Sequence, residues 1–223
     1  ILARVLRLRD GEAIEIFDGR GALRQGIVRH VAVGGTRVEV GDALVPVPEP
    51  VAPIVVVQGL LKGDAMDAVV RDATVLGASS IQPVTTSRTN VPTRAAQAAH
   101  DRWVRVAIAA AKQCGRAVLP QIAAIADVRD VIDAASTAAP ARLWLTEPAA
   151  IRSDSDVVLD PQPTCLAIGP EGGWSADEIR AAADTGWRPW TLAPVTLRAE
   201  HVTLAALSVL RYAWDVAGRR RIT

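Results

Sequence analysis

The segment at residues 168–174, with the sequence IGPEGGW, carries the residue types of a ligand-binding loop. It follows the short apolar run CLA, and Ser175 with Glu178 forms the pattern of a capping box at a helix start. We therefore expect the loop between the carboxyl edge of a sheet and a helix N-terminus, where ligands bind in open α/β sheets. Glycines at this place let a ligand approach the backbone closely. A plain tight connection between strand and helix is the alternative that the local pattern leaves open.

The same loop lacks the features of a phosphate cradle. It matches neither GxGxxG nor GxxxxGK[ST], and no lysine lies near it in the sequence. If Ser175 and Glu178 occupy the first N–H groups of the helix, fewer remain for a phosphate. The pattern therefore favours a ligand with an adenine ring and little negative charge over a nucleoside triphosphate.

Three further segments carry side chains that could act on a ligand. Residues 192–207, LAPVTLRAEHVTLAAL, place Arg198 and Glu200 after a strand that ends near Leu192 and just before the last helix. This predicts a second loop at the same sheet edge, or else only a helix start with an exposed ion pair. Arg88 follows the strand SIQPVT, and Arg116 follows a long helix. Each of these two arginines is either a functional side chain or an ordinary solvated one.

Other chemistries find little support in the sequence. There is no GxSxG and no HExxH, so covalent hydrolysis and zinc catalysis are disfavoured, and we expect no metal site. Cys114 and Cys165 lie far apart without metal-ligand spacing, which is typical of reduced core cysteines in a cytoplasmic protein. We recognise neither a signal peptide nor a run of about 18 apolar residues that would predict a membrane helix.

The composition of the 223 residues bounds the class of partner. The net charge is only +1, so wholesale coating of a nucleic acid is not implied. All but two of the 25 basic residues are arginine, the exceptions being Lys62 and Lys112. Arginine suits phosphate contact and base stacking better than lysine does, although a biased genome produces the same excess.

Two domains must position these residues. Residues 1–47 alternate apolar and polar on both sides of Asp10-Gly11, which predicts a small β-barrel or sandwich of four to six strands. Residues 48–53 fall in the proline-rich stretch VPVPEPVAP and predict a linker. Residues 54–223 alternate strand and helix patterns, which predicts an α/β domain with a parallel sheet covered on both faces.

The predicted elements of this α/β domain are short and regularly spaced. The strands are PIVVVQGLL, SIQPVT, RLWLT, CLAI and PWTLA, with a short extended piece at AVLPQI. The helices are GDAMDAVVRDATVLG, residues 94–113, VRDVIDAAS, residues 176–185 and residues 200–217.

Four segments in this order resemble the bacterial methyltransferases that modify N3 of a uridine in 16S ribosomal RNA, which belong to the SPOUT class. They are LLKGDAMDAVVRDATVLGASSIQPVTTSRTNV, RWVRVAIAAAKQCGR, IGPEGGWSADEI and LAPVTLRAEHVTLAAL. The resemblance covers nearly the whole chain. Its N-terminal part is similar to PUA-type RNA-binding barrels.

The resemblance implies a deep trefoil knot in the C-terminal domain, a homodimer, and S-adenosylmethionine as cofactor. It implies that three loops surround the cofactor, with these residues: Leu145, Thr146, Glu147, Ile168, Gly169, Pro170, Glu171, Gly172, Gly173, Leu192, Ala193 and Leu197. One loop departs from the family pattern LGxRILRTETA. Ala193 stands for its first glycine, Val195 for an arginine, His201 for a threonine and Val202 for an alanine.

The reaction implied by the resemblance assigns roles to several polar residues. Uridine N3 must lose a proton, and arginines can stabilise the resulting charge. We expect Arg198 and Arg88 at the uracil or its phosphate, with Glu200 as a base or as the residue that orients Arg198. Arg7 and Arg116 are further candidates for RNA contact. Because the loop at 193–202 is unusual, the rival hypothesis is a non-catalytic RNA-binding assembly factor that has lost the cofactor.

Overall fold

The computed structural model describes residues 9–32, 35–148, 157 and 159–220. The chain divides into two compact units. The first comprises residues up to Glu49 together with Ala111–Leu119, and the second comprises Pro50–Ala110 and the chain from Pro120 onward. The inclusion of Ala111–Leu119 in the first unit differs from the continuous domains expected from the sequence.

The first unit is built on an antiparallel sheet. Within residues 9–32 and 35–49 it contains three strands in the order β1 (Ala13–Phe17), β2 (Leu23–Ala32) and β3 (Gly35–Leu44). The sequence predicted four to six, and part of that prediction falls on residues 1–8, which lie outside the described residues. Val28 of β2 is fully buried.

The segment Ala111–Leu119 belongs to the first unit because its backbone binds the turn after β1. The amide of Gly21 donates to the carbonyl of Ala117 at 3.1 Å, and the amide of Leu119 donates to the carbonyl of Gly19 at 2.9 Å. These bonds join residues about a hundred positions apart, so no local pattern in the sequence predicts them.

The second unit contains a parallel sheet of seven strands. They are β4 (Ile54–Gly59), β5 (Ser80–Thr85), β6 (Gln121–Ile122), β7 (Ala126–Asp127), β8 (Ala141–Leu145), β9 (Thr164–Ile168) and β10 (Arg188–Trp190). The order is β10-β8-β9-β4-β5-β6, with β7 also pairing with β5, and each of these pairings is parallel. The predicted parallel α/β sheet is therefore confirmed.

Helices cover both faces of this sheet. They are α1 (Ala65–Val75), α2 (Thr93–Cys114), α3 (Val128–Ala138), α4 (Ala176–Asp184) and α5 (Ala199–Arg220). Alternate residues of β9 contribute to two separate hydrophobic clusters: Leu166 and Ile168 pack with α1, α2 and α5, whereas Cys165 and Ala167 pack with α3 and α4. A strand buried on both sides explains why CLAI is continuously apolar.

The last strand is shorter than the sequence predicted. The prediction placed a strand over PWTLA, but β10 ends at Trp190, whose carbonyl accepts a bond from the amide of Thr146 at 3.0 Å. The chain then leaves the sheet toward Pro194, which has no N–H to continue a ladder. Residues 191–198 are consequently loop, and all of them except Pro194 line the cavity described next.

Candidate functional site

A cavity of about 610 Å³ lies in the second unit, at the carboxyl ends of β8, β9 and β10. Every residue that the sequence assigned to the cofactor or to catalysis lines it, except Gly172. The structure thus brings together Arg88 from the loop after β5, Glu147 after β8, Gly169 after β9, and Arg198 with Glu200 at the start of α5.

Several lining residues were not predicted from the sequence. They share only their position beside the predicted ones: Ala65, Pro148, Trp174, Ile179, Thr191, Val195, Thr196, Ala199 and Val202. Trp174 could have been predicted as a lining residue, because it ends the IGPEGGW motif. Ala65 could not, since it begins a helix a hundred residues earlier in the chain.

The glycine loop is held close to the sheet. A methyl group placed on Gly59, the last residue of β4, would lie 2.6 Å from the backbone nitrogen of Pro170, so only glycine allows this approach. Gly173 has φ of 66° and its amide donates to the carbonyl of Pro170 at 2.9 Å, which closes the turn. The loop is therefore fixed by backbone geometry as well as by side chains.

Trp174 forms an apolar wall of the cavity. It is 7% exposed, and its indole Nε1 donates to the carbonyl of Leu145 at 3.0 Å. Its ring lies against Trp144 of β8 with centroids 4.0 Å apart. The indole thereby ties the end of the glycine loop to the end of β8, two parts of the cavity lining.

Glu178 of α4 joins two loops at the cavity. Its carboxylate completes the predicted capping box, accepting from the Ser175 amide at 2.8 Å while its own amide donates to the Ser175 hydroxyl at 3.3 Å. The other carboxylate oxygen accepts from the amide of Ser87 at 2.7 Å. Burial alone would raise the pKa of Glu178, but the hydrogen bonds from Ser87 and Ser175 outweigh it and hold that pKa below its ordinary value.

Two further contacts hold the glycine loop. The guanidinium of Arg88 donates through Nη1 to the carbonyl of Gly172 at 2.9 Å. The carboxylate of Glu171 accepts from the amide of Lys62 at 3.0 Å, in the loop after β4. Glu171 had no assigned partner at the level of sequence, and this bond gives it an orienting role in the loop.

Arg198 and Glu200 stand at the start of α5. The carbonyl of Arg198 accepts the first bond of the helix, from the amide of His201 at 2.9 Å. The Arg198 side chain is exposed, and that of Glu200 is half-buried. Both face a cavity whose charged lining also includes Arg88, Glu147 and Glu171.

Arg116 is engaged within the first unit. It is 5% exposed, and its Nη2 lies 2.6 Å from a carboxylate oxygen of Glu49, to which its Nε also donates. An RNA contact through Arg116 stays a prediction, and the structure adds a role in holding the first unit together. Arg7 lies outside the described residues.

The described residues form neither a membrane-spanning helix nor a metal-binding cluster. None of their helices is both long and apolar enough to cross a membrane. No group of three or more of their His, Cys, Asp or Glu side chains is placed to hold a metal ion.

Comparison with protein families matches residues 47–211 to the RNA methyltransferase domain, and residues 2–32 to the PUA domain of RNA methyltransferases. The first match contains the whole cavity. The chain belongs to the RNA methyltransferase family, and the resemblance drawn from its motifs is confirmed.

Within this family the chain is similar to ribosomal RNA small subunit methyltransferase E. It is 30% identical to that protein from Synechocystis over 215 residues, which are 93% of this chain and 68% of the relative. A Legionella pneumophila protein assigned as a methyltransferase, solved with bound SAM, is 30% identical with a TM-score of 0.88, covering 96% of this chain and 88% of its own. The Neisseria gonorrhoeae ribosomal RNA small subunit methyltransferase E, bound to S-adenosyl methionine, is 28% identical with a TM-score of 0.85, covering 95% and 87%.

Proposed function

We propose that this protein transfers a methyl group from S-adenosylmethionine to N3 of a uridine in 16S ribosomal RNA of the small subunit. The observation that carries the proposal is that the glycine loop, Arg88, Arg198 and Glu200 meet in one cavity. The similarity to ribosomal RNA small subunit methyltransferase E over 93% of the chain supports the same activity.

The cavity suits S-adenosylmethionine. Its volume of about 610 Å³ falls within the range of small-molecule sites. Leu145, Ile168 and Trp174 offer an apolar slot for an adenine ring, and Gly169 lines the cavity beside them. The carboxylates of Glu147 and Glu200 are suited to a cofactor that carries a positive sulfonium and an amino group.

The chain's own residues carry the remaining chemistry. Bound S-adenosylmethionine supplies an electrophilic methyl group, and the protein holds the acceptor in line with it. As N3 loses its proton, negative charge spreads to the uracil oxygens, where the Arg198 guanidinium stabilises it. Arg88 serves the same charge or a neighbouring phosphate while its Nη1 holds the loop at Gly172. Glu200 accepts the proton or orients Arg198; both roles fit its place at the start of α5.

The substrate must present an unpaired base. N3 lies on the Watson–Crick edge of uracil, so the target uridine is single-stranded or flipped out of its helix. Residues 1–47 form the PUA-like RNA-binding barrel in this proposal, residues 48–53 the linker, and residues 54–223 the SPOUT methyltransferase domain. An enzyme with this substrate acts in the cytoplasm.

The trefoil knot is part of the proposal. It is supported by the position of β9 between β8 and β4, two strands that precede it, and by β10 pairing outside β8. The last segments of the chain would pass through the loop that these crossovers leave.

A homodimer is also proposed, with α5 at the contact. Leu204, Val209 and Tyr212 lie on one side of this helix and are 42%, 43% and 73% exposed. Apolar side chains grouped on an exposed helix face favour a protein partner over water. A second copy of the chain would place two such faces together beside the residues that begin α5.

Mass mapping of 16S RNA after incubation with protein and S-adenosylmethionine tests the activity. We expect one uridine to gain about 14 Da, as one methyl replaces one hydrogen.

Single-turnover rates for Arg198→Ala and Glu200→Ala test the roles given to these two residues. Full activity in both variants would exclude those roles. Calorimetric titration with S-adenosylmethionine tests the rival, since an assembly factor whose loop at Ala193 and Val195 no longer binds cofactor would give no heat.

A further inference from the structure

The penultimate residue of β4 is a buried polar side chain that the proposed chemistry does not use. Gln58 follows the apolar residues Ile54 to Val57 and is 0% exposed. Burying a side-chain amide is costly unless its donors and acceptor find partners. Its partners therefore indicate what the residue does.

Gln58 binds two parts of the cavity at once. Its Nε2 lies 3.0 Å from the carbonyl of Gly59 and 3.4 Å from the carbonyl of Gly169, in the glycine loop. Its Oε1 accepts from the hydroxyl of Thr203 at 2.8 Å, and Thr203 is also 0% exposed. The amide thus connects the glycine loop to α5, and its bond to Thr203 is fully buried, where a hydrogen bond is strong.

The far end of this connection lies beside the candidate catalytic residues. Thr203 is one turn along α5 from Arg198 and Glu200, and the neighbouring Val202 lines the cavity. The glycine loop at the near end also lines the cavity. Because this loop and the start of α5 are separate in sequence, the distance between them depends on contacts such as this one.

We infer that Gln58 and Thr203 are positioning residues, which set the placement of the cofactor loop relative to the Arg198–Glu200 segment. The inference rests on the proposed function for the meaning of that placement. Neither side chain needs to touch cofactor or RNA. The hydroxyl of Thr203 makes the bond to Gln58, so a side chain that keeps this hydroxyl should preserve the site.

The chain offers a matched set of variants. Thr203→Val removes the hydroxyl and keeps the shape, whereas Thr203→Ser keeps the hydroxyl. Thr74→Val is the control for stability, because Thr74 is also 0% exposed and donates to the carbonyl of Val70 at 2.7 Å within α1, away from the cavity lining. Gln58→Met removes both the acceptor for Thr203 and the N–H donors for Gly59 and Gly169 at similar size.

Hydrogen–deuterium exchange without ligand is the first measurement. We expect the amides of Gly169 and of residues 171–173 to exchange about tenfold faster in Thr203→Val and at wild-type rate in Thr203→Ser and Thr74→Val. The second is the Kd for S-adenosylmethionine by calorimetry, expected to rise about fivefold to tenfold in Thr203→Val and less than about twofold in the other two. Adding Gln58→Met to Thr203→Val should change either value little further.

The outcomes separate the two hypotheses. Wild-type protein that neither binds S-adenosylmethionine nor methylates RNA overturns the proposed function, while the exchange rates still decide whether Gln58 and Thr203 hold the loop. Equal exchange and equal Kd in Thr203→Val and Thr203→Ser overturn the positioning role. So does an equal loss in Thr74→Val, since that would reduce the effect to general stability.

Discussion

The carboxylate of Glu178 lies 2.7 Å from the backbone nitrogen of Ser87, a residue 91 positions earlier in the chain. The same carboxylate caps α4 through Ser175. One buried side chain therefore fixes the start of the helix behind the glycine loop and the loop that carries Arg88. The geometry of the cavity depends on this carboxylate keeping both oxygens as acceptors.

Replacing Glu178 with glutamine should lower stability by about 1–3 kcal/mol, because an amide has one acceptor oxygen and would leave a buried N–H unpaired. The matched control is Asp177→Asn on the same helix turn, where the side chain is 68% exposed and pairs with Arg180 at the surface. That change should cost less than about 1 kcal/mol. Urea unfolding measures both, and equal losses would contradict the role given to Glu178.

The contribution of the Glu178 carboxylate should also be visible in the pH dependence of the free energy of unfolding. Folding lowers the pKa of Glu178, so its carboxylate stabilises the folded state above its ordinary unfolded pKa. This contribution is lost as the pH falls through the folded pKa. The free energy of unfolding of the wild type should therefore fall more steeply from about pH 5 to about pH 3 than that of Glu178→Gln. Parallel pH profiles would count against the assignment.

Gly59→Ala should weaken S-adenosylmethionine binding by about tenfold or more, because the added methyl meets the backbone of Pro170 and must displace the glycine loop. Gly218→Ala in α5 is the control, since a methyl there meets nothing within 4 Å. It should leave binding unchanged and stabilise the helix slightly. Calorimetric titration measures the affinities; unchanged affinity in Gly59→Ala would show that the loop moves freely.

Arg116→Ala should destabilise the first unit by about 1–3 kcal/mol, because it leaves the partly buried Glu49 without its ion pair. Arg29→Ala provides the comparison, as its pair with Glu39 is exposed on both sides and should contribute less than about 1 kcal/mol. Hydrogen exchange of the β1–β3 sheet reports on this unit specifically. Similar exchange in the two variants would mean that the Arg116 pair is no stronger than a surface pair.

Tyr212→Glu should convert the proposed dimer to monomer, because it places a charge on the apolar side of α5. Val75→Glu is the control, since Val75 is 41% exposed at the end of α1 and is not part of that face. Sedimentation velocity gives the mass of each variant. A wild-type monomer, or a Tyr212→Glu dimer, would rule out this interface.

The features that could be predicted best from the sequence are those that depend on neighbouring residues. The capping box at Ser175 and Glu178, the continuous apolar strand before the glycine loop and the parallel sheet all follow from residues close together in the chain. Most of the cavity-lining residues were predicted from the family resemblance and not from local patterns. This is because the ends of β8, β9 and β10 are brought together only by the order of the strands in the sheet.

What could not be predicted depends on contacts between distant positions. No sequence pattern around Glu178 predicts its hydrogen bond with Ser87. Likewise, no pattern around Gln58 predicts its bond with Thr203, which is 145 residues away. The prediction that this strand continues past Trp190 was wrong, because Thr191 is a good strand former by type and the apolar Leu192 extends the pattern. Their place in the loop is set by Pro194 and by packing around the cavity.

The ties around the cavity end on main-chain atoms. Glu171 binds the amide of Lys62, Trp174 binds the carbonyl of Leu145, and Arg88 binds the carbonyl of Gly172. Almost any amino acid supplies such an atom, so these bonds restrict the side chains of Glu171, Trp174 and Arg88 but place no demand on the side chain of residue 62. Percentage identity should therefore understate how closely relatives share their backbone, as a TM-score of 0.88 for the whole chain at 30% identity illustrates.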